Sequence, residues 1–163
     1  MPDQATLVLI KPDAIARGFV GAILSRLEEL RLEVIGAKAI QVDQQLAEAH
    51  YANIKEKPFF RETVDYLQGK LHGTRAILAL VLWGENAIER VRVLTGATHP
   101  EKAEPRSIRG AFGRMATSGL MENVMHASAD PDDARREIAL WFKPHELTRP
   151  LRPERARAGT RRS

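Results

Sequence analysis

The chain has 163 residues, 44% of them apolar, enough for one buried core and too few for two, so a single domain is expected. It contains no cysteine, which excludes disulfides, thiolate metal sites and cysteine nucleophiles. The net charge of +4 is not spread over the molecule: Arg149 to Ser163 holds six Arg and one Glu, which leaves −1 for residues 1–148.

Met1-Pro2-Asp3-Gln4 has neither the basic start nor the apolar run of a signal peptide. No later run reaches membrane-spanning length, so a cytoplasmic protein with no membrane partner is expected. Thr6 to Ile10 is a short apolar, partly β-branched run that reads as a buried strand, ended abruptly by Lys11-Pro12-Asp13. Lys11 then stands at the strand's exit. From Gly18 to Leu32, Val20, Ile23, Leu24, Leu27 and Leu30 recur at helical spacing with charges on the other face, an amphipathic helix. Glu33 to Val42 suits a second strand, Gln44 to Ile54 a helix, and Lys57-Pro58 breaks that helix and opens another over Phe59 to Gln68. Ile77 to Trp83 is the most hydrophobic run and is expected to be a central strand. A helix follows from Ala87 to Leu94, then a long loop from Thr95 to Ser107, a length that in compact domains marks a functional or a disordered segment. Order resumes at Ile108 to Gly113, and Arg114 to Glu122 leads into a last strand at Asn123 to His126.

Asp130-Pro131-Asp132-Asp133 is a helix start: Asp130 suits the N-cap, Pro131 the first helical position, and the next two acids the positive end of the helix dipole. The helix runs to Phe142, before Pro144. Residues 149–163 have almost no apolar side chains and are expected to form a basic, disordered tail behind a domain of residues 1–148. This order of strands and helices is that of an α/β chain of the α+β sandwich kind. It matches a ferredoxin-like split β-α-β arrangement with a four-stranded antiparallel sheet covered by helices. The sequence has no repeat, Walker-type loop, dinucleotide fingerprint or metal-ligand spacing, so no protein metal ligands are expected.

The stretch Asn123 to Asp130 places His126 at a junction between strand and helix. An imidazole with an ordinary pKa near 6.5 is largely unprotonated at neutral pH and can attack phosphorus. A lone His at a strand end is more often a surface or structural residue, and the octapeptide by itself favours that reading. The polar residues at the other element ends change the weighing. Lys11, Tyr51, Arg92, Thr98, Arg109, Asn123 and His126, with Phe59 beside them, combine three cations, neutral donors, an imidazole and an aromatic platform. That set suits a polyphosphate carrying a base, because Arg forks match phosphate oxygens and aromatic faces stack on any base.

On these residues the sequence closely resembles the nucleoside diphosphate kinase family, from about Thr6 to Leu147. The resemblance is carried by Ile10-Lys11-Pro12-Asp13, Arg17-Gly18-Phe19-Val20-Gly21, His50-Tyr51, Lys57-Pro58-Phe59-Phe60, Gly96-Ala97-Thr98-His99-Pro100, Ile108-Arg109-Gly110, Asn123-Val124-Met125-His126-Ala127-Ser128 and Glu137 to Phe142. It implies a ping-pong kinase in which His126 accepts the γ-phosphoryl of a nucleoside triphosphate and passes it to a nucleoside diphosphate. Lys11, Tyr51, Arg92, Thr98, Arg109 and Asn123 would hold phosphates and ribose, Phe59 would stack on the base, and Leu120 would cover its other face. Glu137 and Ser128 would support His126; Glu137 lies two helical turns beyond Asp130, on the face that looks back toward it. Mg2+ is expected to arrive with the nucleotide, and a homo-oligomer is implied.

The sequence departs from the family pattern in four places within the domain, and its basic tail differs from the family's usual C-terminal segment. Ala129 stands where Asp is usual, His99 where Asn is usual, and short insertions lie around Gln68 to Gly73 and within Arg114 to Glu122. The competing class is a catalytically weak relative that binds nucleotides or, through its basic tail, nucleic acid. The retained Lys11, Arg92, Arg109, Asn123 and His126 argue against it.

Overall fold

The run Thr6 to Ile10 is apolar at consecutive positions because both faces of its strand are covered. The computed structural model describes residues 1–151, so the basic segment beyond Leu151 lies outside the described residues. In chain order the elements are β1 (Asp3–Ile10), α1 (Pro12–Ala16), α2 (Val20–Glu28), β2 (Glu33–Ile40), α3 (Gln44–His50), α4 (Phe60–Leu67), β3 (Ile77–Glu85), α5 (Ala87–Thr95), α6 (Ile108–Phe112), β4 (Arg114–Met115), β5 (Met121–Glu122), β6 (Met125–Ala127) and α7 (Pro131–Trp141).

Four strands form a sheet in the order β2-β3-β1-β6 with every pairing antiparallel. The hydrophobic β3 is interior, as its composition implied. Side chains alternate along β1: Leu7 and Leu9 enter one core with Val64, Leu67, Ile138 and Trp141. Val8 and Ile10 enter a second core with Ile23, Leu27, Val91 and Ile108. Helices α3, α4 and α7 thus cover one face, and α2, α5 and α6 the other. This is the expected four-stranded antiparallel sheet with helices, and it carries β1 to the cleft with Lys11 at its end.

Three local features differ from the reading by periodicity. Pro12 does more than end β1: it occupies the first turn of α1, where a missing N–H costs nothing. Residues 114–122 fold back as a two-stranded hairpin, pairing Arg114 with Glu122 and Met115 with Met121. The last strand is also shorter than expected, because Val124 has φ +60 and takes residues 123 and 124 off the sheet. A β-branched residue in this region is strained. It is held from both sides: its N–H donates to Asp13 Oδ2 at 3.1 Å, and its carbonyl accepts from the Lys11 amide at 2.8 Å.

The C-terminal segment returns to β2, where Thr148 N–H donates to the Ile35 carbonyl at 2.8 Å. Arg149, placed by composition in the tail, stacks 3.6 Å from the Trp83 ring centroid and lies 2.9 Å from Glu33 Oε2. Gly36 makes the return possible, since a Cβ there would stand 2.8 Å from Leu147.

Candidate active site

Asp130 caps α7 by accepting the Asp133 N–H at 2.8 Å, with Pro131 in the first turn. The cap fixes the helix's phase, and seven residues on, the buried Glu137 faces back to β6. There its Oε2 lies 2.5 Å from His126 Nε2. With the carboxylate accepting, the imidazole proton sits on Nε2 and Nδ1 carries the free lone pair. Burial first, then Lys11, Arg109 and Arg136, hold the His126 pKa well below the usual value, so the ring is neutral. Its side chain remains 21% exposed to the cleft. Burial raises the Glu137 carboxyl above its ordinary range, while His50, Ser128 and Arg136 pull the other way. Ser128 is fully buried beneath, its Oγ accepting the Leu7 N–H at 3.1 Å.

Behind His126 stands His50, ring centroids 4.5 Å apart and nearly perpendicular. The Trp141 indole N–H donates to His50 Nδ1 at 3.1 Å, which places the His50 proton on Nε2. Burial and then the neighbouring His126 keep its pKa well below the usual value. Ligand atoms of His50, His126 and Glu137 lie within 4.8 Å of one another, close enough in principle for a metal. In this hydrogen-bonding state, though, neither His50 nitrogen offers a free lone pair and Glu137 is engaged by His126. The cluster is a hydrogen-bonded support for His126.

The cations come from three other elements. Lys11 Nζ donates to Asn123 Oδ1 at 2.8 Å, and Asn123 Nδ2 donates to the Thr98 carbonyl at 3.1 Å. Burial, then repulsion from Arg109, draws the Lys11 pKa down to about 7 against the pull of Asp13. Arg109 on α6 donates through Nε and Nη2 to the Met125 carbonyl at 3.2 and 2.7 Å, and through Nη1 to Gly96 at 3.2 Å. Its pKa falls to about 10, chiefly through burial, which leaves it cationic at neutral pH. Gly96, at φ +87, has no room for a side chain, because a Cβ would meet Ser107 Oγ at 2.2 Å. Arg92, near the end of α5, donates to the backbone carbonyl of Ala129. The Tyr51 hydroxyl is buried without a hydrogen-bond partner.

All the expected site residues except Ser128 line one cleft of about 1210 Å³. Phe59 is 52% exposed, and Leu120 on the 114–122 hairpin lines the same cleft. The reading by residue type did not single out Arg136, which helps keep His126 neutral, or His50, which packs against the His126 ring. The signal for His50 was present, since it directly precedes Tyr51, but an imidazole at a helix end has no distinctive pattern.

The family model for nucleoside diphosphate kinase matches residues 4–147. A nucleoside diphosphate kinase of Pyrococcus horikoshii is 46% identical over 144 residues, 88% of this chain and 88% of the relative. One of Thermus thermophilus is 45% identical over 144 residues, 88% of this chain and 98% of the relative. Among solved structures, a transition-state mimic of the Borrelia burgdorferi nucleoside diphosphate kinase with bound vanadate and ADP matches at a TM-score of 0.81 and 35% identity, covering 92% of this chain and 93% of that one. The Halobacterium salinarum enzyme in complex with CDP matches at 0.81 and 37% identity, covering 93% and 95%.

Proposed function

The chain belongs to the nucleoside diphosphate kinase family, and we propose that it carries out the family's transfer at His126 Nδ1, with the residues of the cleft in the roles that follow. The protein is a phosphotransferase that moves the γ-phosphoryl of a nucleoside triphosphate, typically ATP, to a nucleoside diphosphate through a phosphohistidine. The observation that carries the assignment is the pairing of His126 Nε2 with Glu137, which leaves Nδ1 as the nucleophile in a cleft lined by Lys11, Arg92 and Arg109.

In the first half-reaction the Nδ1 lone pair attacks the γ-phosphorus. The bond from phosphorus to the bridging oxygen breaks, and its electrons leave with the nucleoside diphosphate. The imidazole gains positive character, which the Glu137 carboxylate stabilises through Nε2–H. Ser128 and the capped α7 hold that carboxylate in place. Lys11, Arg92 and Arg109 bind the charge that builds on the phosphate oxygens, while Asn123, Thr98 and Tyr51 supply neutral hydrogen bonds to sugar and phosphate. Phe59 stacks on the base and Leu120 covers it. The second half-reaction runs the same steps backward with a different diphosphate in the same cleft.

The donor set suits Mg2+ carried on the nucleotide. Around His126 the near groups are cationic or neutral, and its one carboxylate partner, Glu137, is already hydrogen-bonded. Magnesium held by phosphates and water would neutralise phosphate charge. We further propose a homo-oligomer in the cytoplasm, with β2 as an edge strand of the sheet on which Val34 is 53% exposed. Among the described residues, no helix is long and apolar enough to cross a membrane. We read residues 1–148 as the catalytic domain, with Arg149 still packed against it on Trp83 and Glu33.

Incubation with γ-labelled ATP tests the assignment. The wild type is expected to retain label that is acid-labile and alkali-stable. His126→Ala is expected to lose label and turnover while still binding ADP, because the cations that supply affinity are untouched. An unlabelled, inactive wild type would refute the kinase reading, and normal turnover in the variant would move the nucleophile elsewhere.

A further inference from the structure

The two insertions that interrupt the family pattern meet in space. His72, in the first, places Nε2 2.6 Å from Glu122 Oε1, in the second, although 50 positions separate them. The other carboxylate oxygen, Oε2, accepts from Arg114 Nε at 2.5 Å, across the hairpin from Glu122. Glu122 is only 5% exposed and His72 10%, so these contacts are shielded on that side, while Arg114 is 53% exposed. The His72 ring also lies against Tyr66, centroids 5.4 Å apart, and the Tyr66 hydroxyl donates to Asp13. Asp13 in turn holds the strained Val124. Asn123 therefore sits between two anchored neighbours, Glu122 on one side and Val124 on the other.

The hairpin needs such an anchor. Its two strands form only two residue pairs and are not hydrogen-bonded into the main sheet. A two-stranded ribbon of this size has no independent stability in water. Yet Gly119, Leu120 and Met121 line the cleft that also contains Phe59. Something outside the ribbon must set its distance from the rest of the site, and the buried Glu122 carboxylate is the group that ties its base to another element.

Resting on the kinase reading above, we infer that His72 and Glu122 are positioning residues for nucleotide selection: their contact fixes the 114–122 hairpin as the wall that closes on the nucleobase. They act through Leu120 and Met121 and touch no reacting atom. The clamp serves the base-bearing part of the substrate, whereas the two phosphate-binding guanidinium groups, Arg92 and Arg109, are held by the backbone carbonyls of Ala129, Gly96 and Met125.

The test compares KM and kcat for ADP, CDP and a base-free ribose diphosphate as acceptors from ATP. His72→Leu is expected to raise KM for both nucleotides by about five- to tenfold, the range in which one weakened base contact falls, with kcat within about twofold. The base-free acceptor should be unaffected. His72→Gln, which restores an N–H donor toward Glu122, should recover most of the loss. In a Leu120→Ala background, His72→Leu should add little, because the wall it positions is already gone. An unchanged KM in folded His72→Leu, equal losses for base-bearing and base-free acceptors, or full additivity with Leu120→Ala would each overturn the inference. Should His72→Leu fail to fold, Arg114→Met on the exposed side of the same carboxylate is read by the same criteria. An inactive wild type would instead refute the kinase reading.

Discussion

Replacing Lys11 by Met should stabilise the empty protein at neutral pH while crippling transfer. Lys11 is 6% exposed, and its pKa in the folded chain is about 7 against an unfolded value near 10.5. The drop of about 3.5 units corresponds to roughly 5 kcal/mol spent on keeping the ammonium charged in the fold. The Nζ bond to Asn123 Oδ1 offsets part of this, and losing it costs about 1 to 3 kcal/mol with the amide oxygen left short of a partner. The net expectation is a variant more stable by about 2 to 4 kcal/mol at pH 7. The sign with pH follows from proton counting. Below pH 7 both states bind the proton and the destabilisation is complete. Between pH 7 and 10.5 the unfolded chain still binds it while the folded chain does not, so wild-type stability from this group rises by about 1.4 kcal/mol per pH unit. The advantage of Lys11→Met should therefore be largest at pH 6 to 7 and shrink toward pH 9.5. Urea unfolding of both proteins without nucleotide at pH 6, 7, 8 and 9.5 measures it. A variant less stable than wild type at pH 7, or a difference that does not change with pH, would refute the argument.

Three other outcomes are expected. Phe59→Ala should weaken every nucleoside diphosphate by about 1 to 3 kcal/mol, with purines affected at least as much as pyrimidines, as read from KM across the common ribo- and deoxyribonucleotides. A loss confined to one base would show that an edge is read instead. Glu137→Gln should retain its place but lose charge, slowing His126 phosphorylation by roughly 10- to 150-fold, the worth of a charged hydrogen bond, in rapid-quench experiments. The fall of kcat/KM on acidification should begin below pH 6.5, because the His126 pKa is depressed and the ring stays neutral until that lowered value is reached; an acid limb centred above pH 6.5 would contradict it.

Much of the fold was legible because its signals are local. The hydrophobic runs at Thr6 to Ile10 and Ile77 to Trp83, the period of α2, and the Asp130-Pro131 cap each specify an element without reference to the rest of the chain. The site residues at element ends, whose types alone suggested a phosphate cleft, converge on one cleft apart from Ser128. What residue type could not show was everything fixed by distant contacts. The left-handed turn at Val124 depends on Asp13 and Lys11, more than a hundred residues away. A β-branched residue gives no warning of it. The 114–122 hairpin was missed because two residue pairs make no alternating pattern. Arg149 was assigned to the tail by composition, whereas its guanidinium packs on Trp83, a contact that the low apolar content of its neighbours hides.

The way the cations are held bears on why one cleft can serve two half-reactions. Arg109 is fixed by the carbonyls of Met125 and Gly96, Arg92 by that of Ala129, and Lys11 by Asn123. None of these partners is an acidic side chain that would cancel the charge. The carbonyl dipoles orient the guanidinium groups and leave their positive charge for phosphate. In the proposed transfer through His126, the same groups accept a triphosphate with a neutral imidazole and a diphosphate with a phosphorylated one. A site assembled by induced fit around one of these states would disfavour the other, since each would have to meet the reorganisation cost anew. Fixing the donors on backbone carbonyls removes that cost from both directions. At the departure at residue 129, Arg92 uses the backbone, which Ala supplies as well as Asp, and a capping carboxylate stands one place later at Asp130.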